Sequence, residues 1–197
     1  MPNNVIKQVC VYCASSTQAD ESYLVAAERL GQVLAANSIA IAYGGGGVGS
    51  MGRLADGALS AGGKVVGVIP RFMKELEWYH REVSEFVEVD DLHDRKRRLL
   101  NGADAVVALP GGSGTLDELL EAISLKRLGS FTGPIVMVNT RRFFDPCLEM
   151  LERCIEQRFM QPRHRDMWQV VDEPEQVIEA FASAPPWSSD AIGFAAL

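Results

Sequence analysis

The sequence predicts an α/β fold, a Rossmann-like doubly wound parallel sheet with helices on both faces. Two observations carry this expectation. Short continuous apolar runs rich in β-branched residues alternate with longer segments of helical period along the chain. No internal repeat and no linker interrupts that alternation.

Val5 to Cys13 reads as the first strand, since its unbroken apolar run suits burial on both faces. Asp20 to Ala36 follows as a helix with Leu24, Ala27, Leu30, Val33 and Leu34 at helical spacing. Ile39 to Tyr43 is the second strand and ends in Gly44-Gly45-Gly46-Gly47. Ser50 to Ala61 is helical and stopped by Gly62-Gly63, and Lys64 to Ile69 is a strand closed by Pro70. Arg71 to Glu82 reads as a polar and aromatic loop, Phe86 to Val89 as a short strand. Asp91 to Asn101 is a helix, with Asp91 and Asp94 placed like a capping box. Then come a strand over Ala103 to Leu109, a helix over Thr115 to Leu128 and a strand over Pro134 to Val138. A helix over Asp145 to Glu156, a strand over Trp168 to Val171 and a helix over Pro174 to Phe181 complete the pattern. Residues 1–183 are expected to form a single nucleotide-binding domain, and 184–197, starting near Pro185-Pro186, a loose tail.

Composition narrows the function. The 197 residues are 47% hydrophobic and 23% charged, ordinary globular usage. The formal net charge of −7 argues against a nucleic-acid polymer as partner, which would need a basic face. No apolar run approaches the ~18 residues of a membrane span, and no signal segment precedes the first strand. Cys10, Cys13, Cys147 and Cys154 are expected to be free thiols. Cys10 and Cys13 fall on opposite faces of one strand, and no second C-x-x-C completes a zinc site. A cytoplasmic protein without metal is the expectation, with His80, His93 and His164 isolated in structural or surface roles.

Eighteen glycines are slightly more than usual, and half lie in two loops, six in Gly44–Gly52 and three in Gly111–Gly114. Ligands of doubly wound sheets bind beyond the carboxyl ends of the strands, which is where both loops fall. The first, GGGGVGSMG, contains a formal GxGxxG. It also approaches a P-loop, but Arg53-Leu54 stands where Lys and Ser/Thr are needed, so an NTPase is disfavoured. A dinucleotide reading is weak too, because no ribose-binding acid ends the next strand. The loop either admits a nucleotide or packs tightly.

The second loop, Pro110 to Glu118, opens directly into a helix. Free N–H groups of Ser113, Gly114 and Thr115 at the positive helix end would make an anion site suited to a phosphate. Glu118 lies at i+4 from Gly114 and i+3 from Thr115, so it faces the same way as that cradle. Either it serves chemistry there, or Asp117 and Glu118 simply complement the helix dipole. A third stretch, Leu92-His93-Asp94-Arg95-Lys96-Arg97-Arg98, puts four consecutive cations in an acidic chain. It is either a solvated face or, through Arg95 and Lys96, a binder of a nucleotide.

Together the three stretches resemble the LOG family of cytokinin riboside 5′-monophosphate phosphoribohydrolases, formerly labelled lysine decarboxylases. The PGGxGTxxE signature is matched by Pro110, Gly111, Gly112, Gly114, Thr115 and Glu118. The MHxRK motif reads Leu92-His93-Asp94-Arg95-Lys96, and the GGGxxGxMG-type loop is met by Gly45–Gly52 with a one-residue shift of glycines. Cys10 to Ser16 is similar to the family's first strand and loop. The resemblance covers about residues 8–182. It implies N-glycosidic hydrolysis of a purine nucleoside 5′-monophosphate, AMP or a cytokinin-type nucleotide, to free base and ribose 5-phosphate, without a cofactor. It also implies Arg95 and Glu118 as catalytic residues. Substrate binding would fall to Lys96, Gly111, Gly112, Ser113, Gly114, Thr115 and Asp117, with Gly45, Gly46 and Glu77 as further contacts, in at least a homodimer. The family's TWxQLG reads Ser124-Leu125-Lys126-Arg127-Leu128-Gly129 here, on the helix that in the family lines the base pocket and the dimer interface. The alternative is a non-catalytic nucleotide- or molybdenum-cofactor-binding carrier or sensor of the same superfamily.

Overall fold

Short apolar runs that cannot leave their backbone groups unpaired form a ladder, and here they do so in parallel throughout. The computed structural model describes residues 5–76 and 78–195. Seven strands form the sheet: β1 (Gln8–Tyr12), β2 (Ala40–Tyr43), β3 (Val65–Pro70), β4 (Glu85–Val89), β5 (Ala105–Ala108), β6 (Ile135–Val138) and β7 (Gln169–Val171). Their order is β4-β3-β2-β1-β5-β6-β7, with every neighbouring pair parallel. The helices are α1 (Glu21–Ala36), α2 (Gly49–Ser60), α3 (Arg71–Glu75), α4 (Leu92–Leu100), α5 (Ser113–Arg127), α6 (Asp145–Glu156) and α7 (Val177–Ser183).

β1 lies at the centre, Val9 opposite Ile41 on one side and Ala105 on the other. Its alternate residues feed two cores. Val9, Val11 and Cys13 pack with α1, α2 and α7, whereas Cys10 and Tyr12 pack with α4, α5 and α6. Each fully buried aliphatic side chain contributes about 1.5–3 kcal/mol, so two such layers hold the sheet from both faces. The same alternation separates Cys10 from Cys13, and the four cysteines are free.

Several ends differ from the sequence reading, each for a local reason. β1 starts at Gln8 rather than Val5 because the Asp104 carboxylate takes the amides of Lys7 and Gln8, at 2.7 and 3.0 Å. The stretch after Pro70 begins with one short helix, α3, not with loop. α4 starts as expected, the Asp91 side chain accepting from the Asp94 amide at 2.7 Å.

The C-terminal segment is not loose. Residues 189–194 form a 3₁₀ turn with Ala191 fully buried. The Trp187 indole N–H donates to the Lys126 carbonyl at 2.6 Å, and Arg127 donates to the carbonyl of Ala195 through Nε and Nη2. Arg163 lies 3.5 Å over the Phe194 ring. Trp187→Ala is therefore expected to lower stability by about 2–3 kcal/mol, through lost packing and an unpaired carbonyl. Urea denaturation measures this, and an unchanged midpoint would mean the segment is not held.

The chain runs outward from β1 to β4 on one side, then returns to β5 on the other. Between β1 and β5 the following loops diverge, which opens the crevice where doubly wound folds bind ligands.

Candidate active site at the switch point

Two helix starts and one buried guanidinium meet at that crevice. After β5 the chain reaches Gly112, extended at φ −85° and ψ −161°, which caps α5 with no side chain of its own. Bonding within α5 begins with the Leu116 amide donating to the Gly112 carbonyl at 3.1 Å. The amides of Ser113, Gly114 and Thr115 thus lack intrahelical acceptors. α5 starts two residues earlier than read from sequence, so Ser113 and Gly114 themselves form its first turn. Gly112, Ser113 and Gly114 are exposed, and Thr115 is buried.

The glycines of this loop have different reasons to be there. A side chain on Gly111 would collide with Thr115. A Cβ on Gly112 or Gly114 would meet nothing within 4 Å, and neither residue occupies the left-handed region. Neither packing nor backbone conformation requires glycine at those two positions. They leave open the space in front of three unpaired amides, which is the geometry of an anion cradle.

Glu118 stands one turn behind, 91% buried. Burial pushes its carboxyl up to about 7, against the pull of Arg95, with Asp117 adding to the rise. A carboxyl held near neutrality in a crevice is suited to proton transfer or charge stabilisation. Arg95 is equally buried, and its donors lock it in place. Nε donates to the Val68 carbonyl at 3.1 Å and Nη2 to the Gly44 carbonyl at 2.6 Å. Those acceptors are neutral, so the two bonds fix the guanidinium in place without neutralising its charge.

The run of four cations is split by the helix. Arg95 turns inward, whereas Arg97 and Arg98 are exposed. Lys96 faces α5 and pairs with Asp117 at 3.0 Å and Glu121 at 3.2 Å. The bond it donates to Asp117 holds its ammonium above the ordinary lysine range. Glu121 was not singled out from sequence, although its i+4 spacing from Asp117 is a legible signal. Lys96 and Asp117 are thereby brought to the rim of the cradle as a pair, each already occupied by the other.

The first glycine loop serves the chain itself. Gly44, Gly45 and Gly46 are buried. The His80 amide donates to the Gly45 carbonyl at 2.9 Å, Gly46 bridges Tyr79, and the Tyr43 hydroxyl donates to the Gly46 carbonyl at 3.1 Å. Of the two readings left open by the sequence, tight packing holds for Gly45 and Gly46, beside the substrate contact expected of them. Glu77 lies outside the described residues.

Among the described residues no group of three or more His, Cys, Asp or Glu is placed to hold a metal ion. His80 Nε2 sits 2.9 Å from the Asp56 carboxylate, and His164 is buried under Trp187 and Phe194. Burial pushes the Cys10 and Cys13 thiols well above their ordinary value, which keeps them protonated. On the α5 segment that departs from TWxQLG, Lys126 is fully buried, its ammonium donating to the Gly133 carbonyl at 2.7 Å. Burial lowers that lysine to about 8. No described helix is long and apolar enough to cross a membrane. A hollow of about 1210 Å³ opens at the amino ends of the central strands, near Ile39, Asp104 and Pro134; it reaches Lys96 and Glu121 but none of Gly111 to Thr115.

Comparison with known proteins identifies the family and the fold. The family described as "Possible lysine decarboxylase" matches residues 51–181. A protein of Oryza sativa subsp. japonica named "Probable cytokinin riboside 5′-monophosphate phosphoribohydrolase LOGL2" is 36% identical over 180 residues, 91% of this chain and 74% of the relative. The Arabidopsis thaliana protein named "Cytokinin riboside 5′-monophosphate phosphoribohydrolase LOG1" is 33% identical over 197 residues, 95% of this chain and 92% of the relative. Among solved structures, the molybdenum cofactor carrier protein of Chlamydomonas reinhardtii superposes with a TM-score of 0.70 at 20% identity, covering 91% of this chain and 98% of that one. At that identity the likeness concerns the fold.

Proposed function

The chain belongs to the LOG family of phosphoribohydrolases, and from that membership we propose that it hydrolyses the N-glycosidic bond of a purine nucleoside 5′-monophosphate. The products are the free base, adenine or an isoprenoid-substituted adenine, and ribose 5-phosphate. The observation that carries this reading is the open space before Gly112 and Gly114, lined by unpaired amides and backed by the buried side chains of Glu118 and Arg95.

In this reading the 5′-phosphate sits against the amides of Ser113, Gly114 and Thr115, with Gly111 shaping the turn. Binding the phosphate supplies remote energy that fixes the ribose beside Glu118. The C1′–N9 bond breaks with its electron pair leaving on the base, which takes up a proton. Water adds to C1′ and surrenders a proton, so the balance is one water consumed per bond cleaved. The Glu118 carboxylate faces the positive charge that develops at C1′ and orients the water. Arg95 holds the substrate and favours departure of the base. Lys96 and Asp117 flank the cradle as one ion pair. We further assign the protein to the cytoplasm as at least a homodimer, a reading supported by its four free thiols and by the exposed Leu92 on α4 and Leu120 on α5.

Incubation with AMP and with isopentenyladenosine monophosphate tests the reaction. Free base and ribose 5-phosphate are expected, and recovery of intact nucleotide from both would leave a carrier or sensor instead. A second test concerns the cradle. Gly114→Ala should leave the melting temperature unchanged, since the methyl meets no protein atom, while raising KM about 10-fold or more by intruding on the phosphate. Unchanged KM would place the phosphate elsewhere.

A further inference from the structure

We propose that Gly44 is a positioning residue, whose missing side chain gives the Arg95 guanidinium the space to bridge the carbonyls of Gly44 and Val68. The kinetic consequence rests on the hydrolase reading above; the geometry does not.

Gly44 does two things for Arg95 at once. Its carbonyl accepts from Nη2 at 2.6 Å, and the space where its side chain would stand is filled by the guanidinium. A Cβ there would collide with Nη2, while lying 3.0 Å from Cζ of Arg95 and 2.9 Å from Cε of Met51. Gly44 does not occupy the left-handed region, so its backbone could carry any residue. The need for glycine comes from Arg95 and from the tip of Met51.

The neighbouring glycines differ in kind. Gly45 has φ +76°, and Gly49 has φ +62° with the Ser15 backbone where its Cβ would stand, so a side chain at either strains the chain. At Gly44 everything in the way is the far end of a flexible side chain. Alanine at 44 can be accommodated, but only by moving both the guanidinium and the methionine tip. The planar fork of Arg95 spans two carbonyls, those of Val68 and Gly44, and one cannot be abandoned without swinging the group. A displacement of about 1 Å in a positioned group can lower a rate about 100-fold.

The test compares Gly44→Ala, Arg95→Ala and the double variant with the unaltered protein. Gly44→Ala should fold, with a melting temperature lowered by several degrees because the buried Gly44 carbonyl loses its partner. Its crystal structure should show the Arg95 Nη2–Gly44 carbonyl bond broken. By NMR, Glu118 should titrate above the value of about 7 in the unaltered protein, because the opposing cation has moved. The other charged groups facing Glu118, which are Asp117, Lys96 and Glu121, are untouched by the substitution. kcat should fall ~100-fold, with KM moving less. In the Arg95→Ala background the same substitution should cost nothing further, whereas independent effects would multiply. The proposal is overturned by a Gly44→Ala protein with native Arg95 geometry and Glu118 titration, by multiplying losses, or by failure to fold. If the unaltered protein cleaves no nucleotide, the hydrolase reading fails alone, and the crystal structure and the Glu118 titration still judge Gly44.

Discussion

Glu118→Gln is expected to abolish turnover, lowering kcat about 10³-fold, while stabilising the protein above neutral pH. The two effects share one cause. Burial raises the carboxyl from its ordinary 4.5 to about 7, so the folded protein binds a proton that the unfolded chain releases near pH 4.5. For a group whose folded value is raised, the stabilising contribution is complete below the unfolded value. It is lost as pH climbs through the folded one. At pH 8 the buried carboxylate therefore costs about 3 kcal/mol relative to a neutral group of the same shape, and glutamine is such a group. The melting temperature of Glu118→Gln at pH 8 should rise by several degrees, and the difference should vanish near pH 4. In the unaltered enzyme, kcat should fall tenfold per pH unit below an inflection at or above 7, since the bound phosphate disfavours the charged carboxylate further. Calorimetry and a pH–rate profile check both. A variant that keeps full activity, or a profile flat from pH 5 to 8, would remove Glu118 from the reaction.

Arg95→Ala is expected to lower kcat/KM by about 10²–10³-fold, comparable to losing a preorganised donor at a site of developing charge. It should also destabilise the fold, because the carbonyls of Gly44 and Val68 are left buried and unpaired at about 1–3 kcal/mol each. Arg95→Lys should not restore activity, since a single ammonium cannot span both carbonyls and still present a donor to the crevice. Steady-state kinetics and urea midpoints of the two variants decide the matter. Full activity in Arg95→Lys would mean that only the charge matters, and not the fork.

Much of this site was legible before any coordinates. Glu118 and the cradle are local: i+3 and i+4 spacing on one helix, three amides at its start, and glycines in between. Helical period places such groups on one face whatever the rest of the chain does. The doubly wound sheet was legible for the same reason, because alternating runs of two periods admit few arrangements. What the sequence missed is non-local. Nothing near residue 95 says that its guanidinium ends on a carbonyl 51 positions earlier. Nothing near Pro185-Pro186 says that Trp187 closes onto Lys126, since Trp187, Ile192 and Phe194 fall in no helical period that would name the face they cover.

The local chemistry of this protein was thus written in the chain: two glycine loops, one carboxylate behind a helix start, one cation in the first turn of another helix. Packing assigned those parts their work. It paired Lys96 with Asp117 and Glu121 and turned Gly45 and Gly46 inward. It pressed Arg95 against Gly44, and it raised Glu118 toward neutrality. The division has a physical basis. Backbone amides and helical spacing act over a few residues and can be read in order. Burial, desolvation and the seating of a charge depend on groups that meet only once the sheet has closed.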